Sequence, residues 1–337
     1  MKNSMSKIKR LLILILLVML LGVLFLFSLP TIPKPERIEY GVSFSKYHSD
    51  ELGLDWRQTY EAVLTDLRVK NIRLSAHWPM IESTDDQFDF EALDYQVQRA
   101  KEENAEVILS VGRRLPGWPE CHVPLWAQGL TESEEEDEIL EYVEAVVKRY
   151  KNEKHIAYWQ VENEIFLWHF ASEICPDLDK YFFDKEIELV KKLDPDTPII
   201  ITDSGEFGSW IRAHKRGDAF GTTMYLYIWS PRLGALRYPI CPGFFFFKQN
   251  IVSLFDRDKP RMLVELGLEP WLLEPIVQTP LDVQLQRMGL DKFRETIKFA
   301  RETRFDKQYL WGVEWWYWMK VMHGDDRFWE EARLLFD

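Results

Sequence analysis

Cysteine is scarce in this chain, and the scarcity limits the chemistry that it can perform. Among the 337 residues there are three cysteines, Cys121, Cys175 and Cys241. None of them lies at zinc-ligand spacing from another cysteine or from a histidine, so the sequence predicts no metal site. The odd count leaves at least one thiol free or paired with another molecule, although a disulfide is permitted outside the cytoplasm.

Basic residues are also in deficit. Lysine and arginine number 42 against 55 aspartates and glutamates, which gives a net charge of −13 and a pI near 5.2. This balance argues against a nucleic-acid partner and leaves a neutral polar substrate open. The chain also lacks low-complexity tracts and repeats of fixed period. The turn after its first predicted strand, GVSFSKYHSD, has none of the glycines of a dinucleotide-binding turn, and no cofactor is predicted.

Charged residues are absent from Leu11–Leu29, whereas Lys2, Lys7, Lys9 and Arg10 precede it. A helix of this length spans about 29 Å, close to the hydrocarbon thickness of a bilayer. The run exceeds the apolar region of most signal peptides, and neither an Ala-x-Ala-like cleavage site nor a lipid-accepting cysteine follows it. The sequence therefore favours an uncleaved anchor over a cleaved signal peptide, with the basic end in the cytoplasm.

The predicted division of the chain follows from this anchor. Residues 1–10 form a basic cytoplasmic segment, 11–29 the transmembrane anchor and 30–37 a spacer stiffened by Pro30, Pro33 and Pro35. Residues 38–337 are then one extracytoplasmic domain, because about 300 residues match a single barrel-sized unit.

Strand-like and helix-like patterns alternate through this domain. The predicted strands are Ile38–Ser45, Asn71–Trp78, Ala105–Gly112, Ile156–Val161, Pro198–Thr202, Phe220–Tyr227, Met262–Val264 and Tyr309–Trp316. Strict alternation implies a parallel sheet, and eight units in this length fit a (β/α)8 TIM barrel better than an open sheet. The predicted fold class is therefore α/β, a single barrel preceded by a transmembrane helix.

Functional residues of such barrels lie where the strands end. The stretch IAYWQVENE places Asn163 and Glu164 directly after the fourth predicted strand, and Glu265 follows the short apolar seventh strand. Strands four and seven face each other across a closed eight-stranded barrel. Two opposed carboxylates are what glycoside hydrolysis requires. The 14 tryptophans are suggestive as well, because sugar faces pack on indole rings.

Five motifs at these strand ends resemble the retaining glycoside hydrolase clan whose catalytic carboxylates lie on strands four and seven, in a cellulase-like branch of clan A. They are VENE, VELGLEPW, RLSAHWPMIESTDDQFDF, GTTMYLYIW and EWWYW. The likeness covers nearly all of Ile38–Phe336. It departs from the clan at Val264, where threonine is frequent, a difference that we expect to alter packing rather than chemistry.

The resemblance implies roles by position. Glu164 would be the acid/base, Glu265 the nucleophile and Asn163 the ligand of the sugar 2-hydroxyl. Arg73 and Tyr225 would hold the nucleophile. The other candidate substrate-binding residues are His77, Trp78, Trp315 and Trp316, one of the last two being the ring under the reactive sugar, and Tyr227 is second choice to Tyr225.

Other polar residues near strand ends receive alternative interpretations. Glu162 is expected to be structural, and Glu269 a loop or subsite residue. Asp203 and Glu206 could bind sugar hydroxyls or cap the next helix. Trp118 follows the third predicted strand at some distance. Cys121 and Cys175 follow neighbouring strands, so we predict that they form a disulfide and that Cys241 stays free.

Three functions remain open at this level. The first is a membrane-anchored retaining β-glycosidase that acts on an extracellular or cell-surface oligo- or polysaccharide. The second is a carbohydrate-binding protein on an inactive barrel, against which the retention of both carboxylates argues. The third is a transglycosylase, which shares the first half of the reaction. The sequence fixes neither the sugar, the linkage nor the oligomeric state.

Overall fold

The computed structural model describes residues 2–29, 31–117, 120–167, 175, 179–230 and 232–336. Pro30 of the predicted spacer, Trp118, and the end residues Met1 and Asp337 lie outside the described residues. The predicted division into anchor, spacer and domain stays a prediction. An apolar N-terminal helix is present, with a candidate membrane span over Lys9–Phe27 that has a mean hydropathy of 3.0 and is not buried against the rest of the chain.

Strands and helices alternate after this first helix. The strands are β1 (Glu39–Phe44), β2 (Asn71–Ser75), β3 (Glu106–Val111), β4 (Ile156–Val161), β5 (Ile199–Asp203), β6 (Ala219–Met224), β7 (Tyr227–Ser230), β8 (Gly234–Arg237), β9 (Arg261–Gly267) and β10 (Lys307–Trp311). The helices are α1 (Lys2–Phe27), α2 (Lys46–Glu51), α3 (Trp56–Glu61), α4 (Trp78–Ile81), α5 (Glu91–Glu102), α6 (Glu132–Tyr150), α7 (Lys180–Leu193), α8 (Ile211–His214), α9 (Pro242–Val252), α10 (Leu281–Arg287), α11 (Leu290–Glu302), α12 (Val313–His323) and α13 (Arg327–Phe336).

The parallel strands close into a barrel in the order β1-β10-β9-β6-β5-β4-β3-β2. The first and last of them complete the ring, since Glu39 pairs with Lys307 and Val42 with Leu310. The predicted (β/α)8 barrel is therefore confirmed. Strands β7 and β8 form a separate antiparallel hairpin, which the sequence analysis missed by running the sixth strand on to Tyr227.

Two layers of apolar side chains hold the barrel. A small inner cluster, which includes Ile108, Ile200 and Val264, fills its interior. A large outer cluster packs the strands against the surrounding helices. Apolar side chains fill the interior of the barrel, and the polar groups lie at the carboxyl ends of the strands. We call this end of the barrel the mouth.

The eighth barrel strand ends five residues earlier than predicted. Strand β10 stops at Trp311, and Gly312 adopts a left-handed backbone with φ of 109° before α12 begins at Val313. The apolar run hides this break, because Val313, Trp315 and Trp316 continue the strand-like composition. Similarly, the second strand ends at Ser75 rather than Trp78, since the short helix α4 begins at Trp78.

Candidate active site

Three polar residues follow directly from β4 and are all buried. Glu162 and Glu164 have left-handed backbones, with φ of 57° and 47°, while Asn163 lies between them. Such conformations cost free energy in residues with a Cβ and persist only where surrounding contacts impose them. Here the Glu164 N–H donates to Thr202 Oγ1 at 3.0 Å, and the Glu162 N–H donates to the Val111 carbonyl at 2.8 Å. The turn therefore directs Glu164 and Glu162 to different surroundings.

Glu162 accepts hydrogen bonds from the backbone of the loop that follows β3. Its two carboxylate oxygens accept the N–H groups of Arg113 and Arg114 at 2.7 and 2.6 Å. A Cβ added at Gly112 would meet Glu162 Oε1 at 2.4 Å, so only glycine fits beside it. This placement agrees with the structural role expected for Glu162.

Glu265 lies on β9 and is held from two sides. Arg73 Nη1 donates to Glu265 Oε2 at 2.7 Å, and the Tyr225 hydroxyl donates to Glu265 Oε1. Arg73 thus supplies a positive charge and Tyr225 a hydrogen-bond donor to the two oxygens of one carboxyl group. The structure thus brings together three residues that the sequence analysis assigned to one task.

Arg73 connects the two halves of the mouth. It is only 1% exposed, and besides Glu265 it donates from Nε to Gln160 Oε1 and from Nη2 to Asn163 Oδ1, each at 2.8 Å. A buried guanidinium requires such full pairing, because an unpaired buried charge is costly. Arg73 therefore fixes the side chain of Asn163 relative to that of Glu265.

Glu164 lies across the ring from Glu265, with β5 and β6 between their strands. Its Oε1 accepts the hydroxyl of Thr223 at 2.8 Å. Burial raises the pKa of the Glu164 carboxyl well above its usual range, and the carboxylates of Glu120 and Glu265 add to the increase. A carboxyl group of raised pKa opposite a cation-paired one is the asymmetry that an acid and a nucleophile require.

The predicted tryptophans do not lie in the mouth, and these assignments need correction. Trp315 and Trp316 are on α12, fully buried, and donate their indole N–H groups to Gln284 Oε1 and the Leu268 carbonyl. Trp78 is equally buried, stacking on Tyr142 behind the barrel wall. Each was misplaced because its strand ends earlier than predicted.

The indole that does end the eighth barrel strand is Trp311. Its Nε1 donates to Glu269 Oε1 at 2.7 Å, and Glu269 Oε2 lies 3.0 Å from His48 Nε2. The His48 ring also stacks on Trp311, with centroids 6.3 Å apart. Burial lowers the pKa of His48, but the carboxylates of Glu269, Glu51 and Glu314 together outweigh that effect and raise it well above its usual range. The glycine that follows Trp311 was the signal that could have located this position.

His77 lies at the mouth in an aromatic group. Its ring centroid is 4.3 Å from that of His122 and 5.8 Å from that of Tyr47. Burial lowers the pKa of His77 well below its usual range and that of His122 to about 4. Both imidazoles are thus neutral at pH 7, and His122 was not singled out from the sequence.

The remaining predicted residues are placed as follows. Asp203 accepts the N–H of Trp210, the residue before α8, at 2.8 Å, while Glu206 accepts the N–H of Tyr225 at 3.0 Å. Tyr227 points instead to Glu295, outside the mouth. Cys121 and Cys175 form the predicted disulfide, and Cys241 is free and exposed. Among the described residues, the groups close enough to share a metal ion are Glu82, Asp85 and Asp86, away from both catalytic candidates.

The model of glycosyl hydrolase family 10 matches residues 55–211, slightly less than half of the chain. A β-galactosidase, BgaA of Clostridium cellulovorans, is 24% identical in a 216-residue alignment that covers 55% of this chain. The chain spans only 31% of the length of that relative.

Solved structures share the fold at lower identity. The GH5_18 protein of Bifidobacterium longum subsp. longum aligns with a TM-score of 0.58 and 13% identity over 82% of this chain and 70% of its own. Xylanase 10B of Thermotoga maritima aligns with a TM-score of 0.53 and 15% identity over 82% of this chain and 83% of its own. The family match confirms the resemblance to glycoside hydrolases that the strand-end motifs indicated, and the solved structures share the barrel fold.

Proposed function

We propose that this chain is a membrane-anchored, retaining β-glycoside hydrolase that acts on an extracellular or cell-surface glycan. The observation that carries the proposal is the unequal environment of two opposed carboxylates. Glu265 is paired with Arg73 and Tyr225, whereas Glu164 makes no ion pair with any described residue and its pKa is raised by burial and by Glu120 and Glu265. A protein that only binds sugar has no use for this difference.

The proposed reaction has two displacements. Glu265 attacks the anomeric carbon while Glu164 gives its proton to the departing oxygen, and a covalent glycosyl-enzyme forms. Glu164, now a carboxylate, then takes a proton from water, whose oxygen attacks the same carbon and releases the sugar and Glu265. Retention requires the two carboxyl groups to lie roughly 5–5.5 Å apart.

Neighbouring residues would position the sugar during these steps. Asn163 is oriented by Arg73 and by Thr202, whose hydroxyl donates to Asn163 Oδ1 at 3.1 Å, so its amide group is fixed for a sugar hydroxyl. Trp311, which replaces Trp315 and Trp316 in this role, presents the ring at the end of the eighth barrel strand. His77 offers a neutral imidazole at the end of the second.

Covalent labelling tests the nucleophile. A 2-fluoro glycoside inactivator should label Glu265, as read by peptide mass spectrometry. Glu265→Gln should abolish turnover while sugar binding persists, because the amide is nearly isosteric with the carboxylate. Glu269→Gln is the matched control, and it should leave the label on Glu265.

Two results would contradict the assignment. Labelling of Glu269 would move the nucleophile four residues along the chain. Sugar binding by the unmodified protein without labelling or turnover of any aryl β-glycoside would favour the carbohydrate-binding alternative. Transfer of the glycosyl group to a sugar acceptor in place of water would identify a transglycosylase.

The acid/base role of Glu164 has its own test. Glu164→Ala should hydrolyse substrates with good leaving groups only slowly, because their glycosyl-enzyme still forms but water is no longer activated. Added azide should restore turnover and yield a β-glycosyl azide, since a small anion needs no general base. Equal loss on every leaving group without azide rescue would assign the role to another carboxylate.

A further inference from the structure

A cavity of about 640 Å³ opens on the face of the barrel opposite the mouth. The first residues of β1, β9 and β10 line it, together with Ile32 and Pro33 from the segment that follows α1. Parallel strands begin at this face and end at the other, so the cavity is separate from the proposed active site. It has no role in the reaction described above.

The cavity is unusual in its charge. Its lining carries four acidic side chains but six basic ones, namely Arg37, Arg257, Lys259, Arg261, Arg304 and Lys307. The chain as a whole has a net charge of −13. A local excess of positive charge on an acidic protein favours an anionic ligand.

Three of these cations are already engaged. Lys259 Nζ donates to the carbonyls of His214 and Gly217, each at 2.6 Å. Lys307 lies 3.3 Å from Glu39 and 3.1 Å from Glu106. Arg304 Nη1 donates to the Ile32 carbonyl at 2.6 Å and so fastens the segment after α1 to the cavity wall.

The other three are arginines with unused donors. Arg261 Nη1 is buried and donates to no acceptor in the described part of the chain, while its Nη2 donates only to the Arg257 carbonyl at 3.2 Å. The guanidinium groups of Arg37 and Arg257 make no hydrogen bond or ion pair with a described residue. Guanidinium groups pair with phosphate oxygens in a planar, two-point geometry that ammonium groups cannot offer.

The cavity also lies close to the end of the apolar helix. Ile32, in its wall, is three residues beyond Leu29, a distance of at most about 10 Å along the chain. The headgroup layer of a bilayer is roughly 5–8 Å deep on each side. If α1 spans the membrane, as the proposed function holds, the cavity opens at or just beyond the level of the headgroups.

We propose that this cavity is a binding site for a phosphate group, taken either from the headgroup of an anionic phospholipid beside the anchor or from free phosphate. Arg261, Arg257 and Arg37 bind its oxygens. The lipid source rests on the proposed anchor, whereas the phosphate chemistry does not.

Calorimetric titration of the full chain in a neutral detergent tests the proposal. The probes are short-chain phosphatidylglycerol, short-chain phosphatidylcholine and inorganic phosphate. Phosphatidylglycerol should bind saturably and more tightly than phosphatidylcholine, whose choline cation is repelled by the basic lining. The double variant Arg257→Gln, Arg261→Gln should bind at least tenfold more weakly. The double variant Lys101→Gln, Lys148→Gln removes the same charge from exposed helical positions and should bind as the unmodified chain does.

Each outcome decides the matter. Phosphatidylglycerol binding tighter than inorganic phosphate supports the lipid source, and equal binding of the two supports free phosphate. No saturable binding of either, or equal weakening by both double variants, overturns the site. If the double variant Arg257→Gln, Arg261→Gln unfolds, Arg37→Gln takes its place in the titration, because Arg37 lies on the exposed segment before β1. The titration measures binding in detergent, so its result depends neither on hydrolysis nor on a bilayer. Failure of the proposed glycosidase would be seen in turnover assays, and failure of the proposed anchor in membrane extraction.

Discussion

Several influences of opposite sign act on the carboxyl of Glu164, and those that raise its pKa prevail. Burial, Glu120 and Glu265 raise the pKa of its carboxyl, while the Thr223 hydroxyl and the more distant Arg114 lower it. Lys248 and Tyr225 are also close to Glu164, since the Glu164 carboxylate acts to raise the pKa of each of them. Because the proposed first step needs protonated Glu164, activity should be lost as the pH rises through its pKa.

Removal of the Thr223 hydroxyl should raise the pH above which activity is lost. That hydroxyl stabilises the ionised carboxylate, so Thr223→Val should raise the pKa of Glu164 further and extend activity to higher pH. A hydrogen bond to a charged group contributes about 1.5 kcal/mol, which corresponds to about one pH unit. The measurement is the basic limb of kcat/KM against pH.

Thr222→Val is the matched control, because Thr222 donates to the Asp203 carbonyl at 3.0 Å and not to Glu164. Its pH profile should equal that of the unmodified protein. A basic limb that moves to lower pH in Thr223→Val, or moves alike in both variants, would contradict the assignment of Glu164 as the acid.

The sequence could predict residues that directly follow correctly bounded strands. Glu164 and Asn163 are such residues, since β4 has the predicted bounds. Glu265 was found because it is the first polar residue after the apolar run Met262–Val264, although β9 continues past it to Gly267. The structure brings these residues together with Arg73 and Tyr225. Trp315 and Trp316 were misplaced because their apolar composition continues that of β10, although Gly312 marks the end of that strand. The network of His48, Glu269 and Trp311 could not be foreseen either, since it joins residues far apart in sequence through side-chain contacts alone.

At the level of elements, several contacts hold the described residues of the loop after β3, Arg113–Gly117 and Glu120–His122. The N–H of His122 donates to the Arg113 carbonyl at 3.0 Å, and Arg114 pairs with Glu120 at 2.6 Å and donates to the Leu167 carbonyl at 3.0 Å. The Cys121–Cys175 disulfide, with Cα atoms 5.3 Å apart, joins this loop to the segment after β4. The disulfide therefore links the chain segments that follow β3 and β4, two neighbouring strands of the barrel.

Loss of this disulfide should reduce stability more than loss of the free thiol. The bridged residues are 54 apart in sequence, for which the chain-entropy model gives an upper value of about 4 kcal/mol. Cys121→Ser combined with Cys175→Ser should lower the free energy of unfolding by a measurable part of that value, as read by denaturant titration under oxidising conditions. Cys241→Ser should have little effect because Cys241 is exposed. Equal stability of the double variant and the unmodified protein would show that the loops are held without the bond.

Element boundaries were predictable where a strand or helix ends in a recognisable signal. Strand β4 has the predicted bounds, and α6 begins at a capping box in which Thr131 and Glu134 exchange hydrogen bonds. The hairpin of β7 and β8 was missed because Tyr225 and Leu226 continue an apolar run that carries no turn signal. Local composition cannot distinguish a strand that continues from one that stops and turns.

On the scale of the whole molecule, the apolar helix is not simply tethered to the barrel. Asn250 Nδ2 on α9 donates to the carbonyls of Phe27 and Leu29 at 2.7 and 2.8 Å, and the rings of Phe27 and Phe247 meet edge to face at 6.0 Å. These contacts satisfy carbonyl groups at the end of α1 that have no partner within the helix. They join the predicted anchor to one flank of the barrel.

The anchor prediction can be checked on the protein in membranes. If Leu11–Leu29 is retained, the mature protein should begin at its initiator region, resist alkaline extraction, and expose its barrel to protease only from the outer side. Terminal peptide mapping by mass spectrometry provides the measurement. Recovery of a soluble form that begins near Pro30 would instead identify a cleaved signal peptide.

The pairing of β1 with β10 has a consequence for how the molecule is made. The barrel cannot close until Lys307–Trp311 has been synthesised. Until then, the edge of β1 that pairs with β10 has no partner strand. Such non-local pairing is slow, and open strand edges invite association with other chains. If the chain is exported across a membrane, the barrel can close only on the outer side. The rate of closure there would be limited by the rate at which the C-terminal strand is exported.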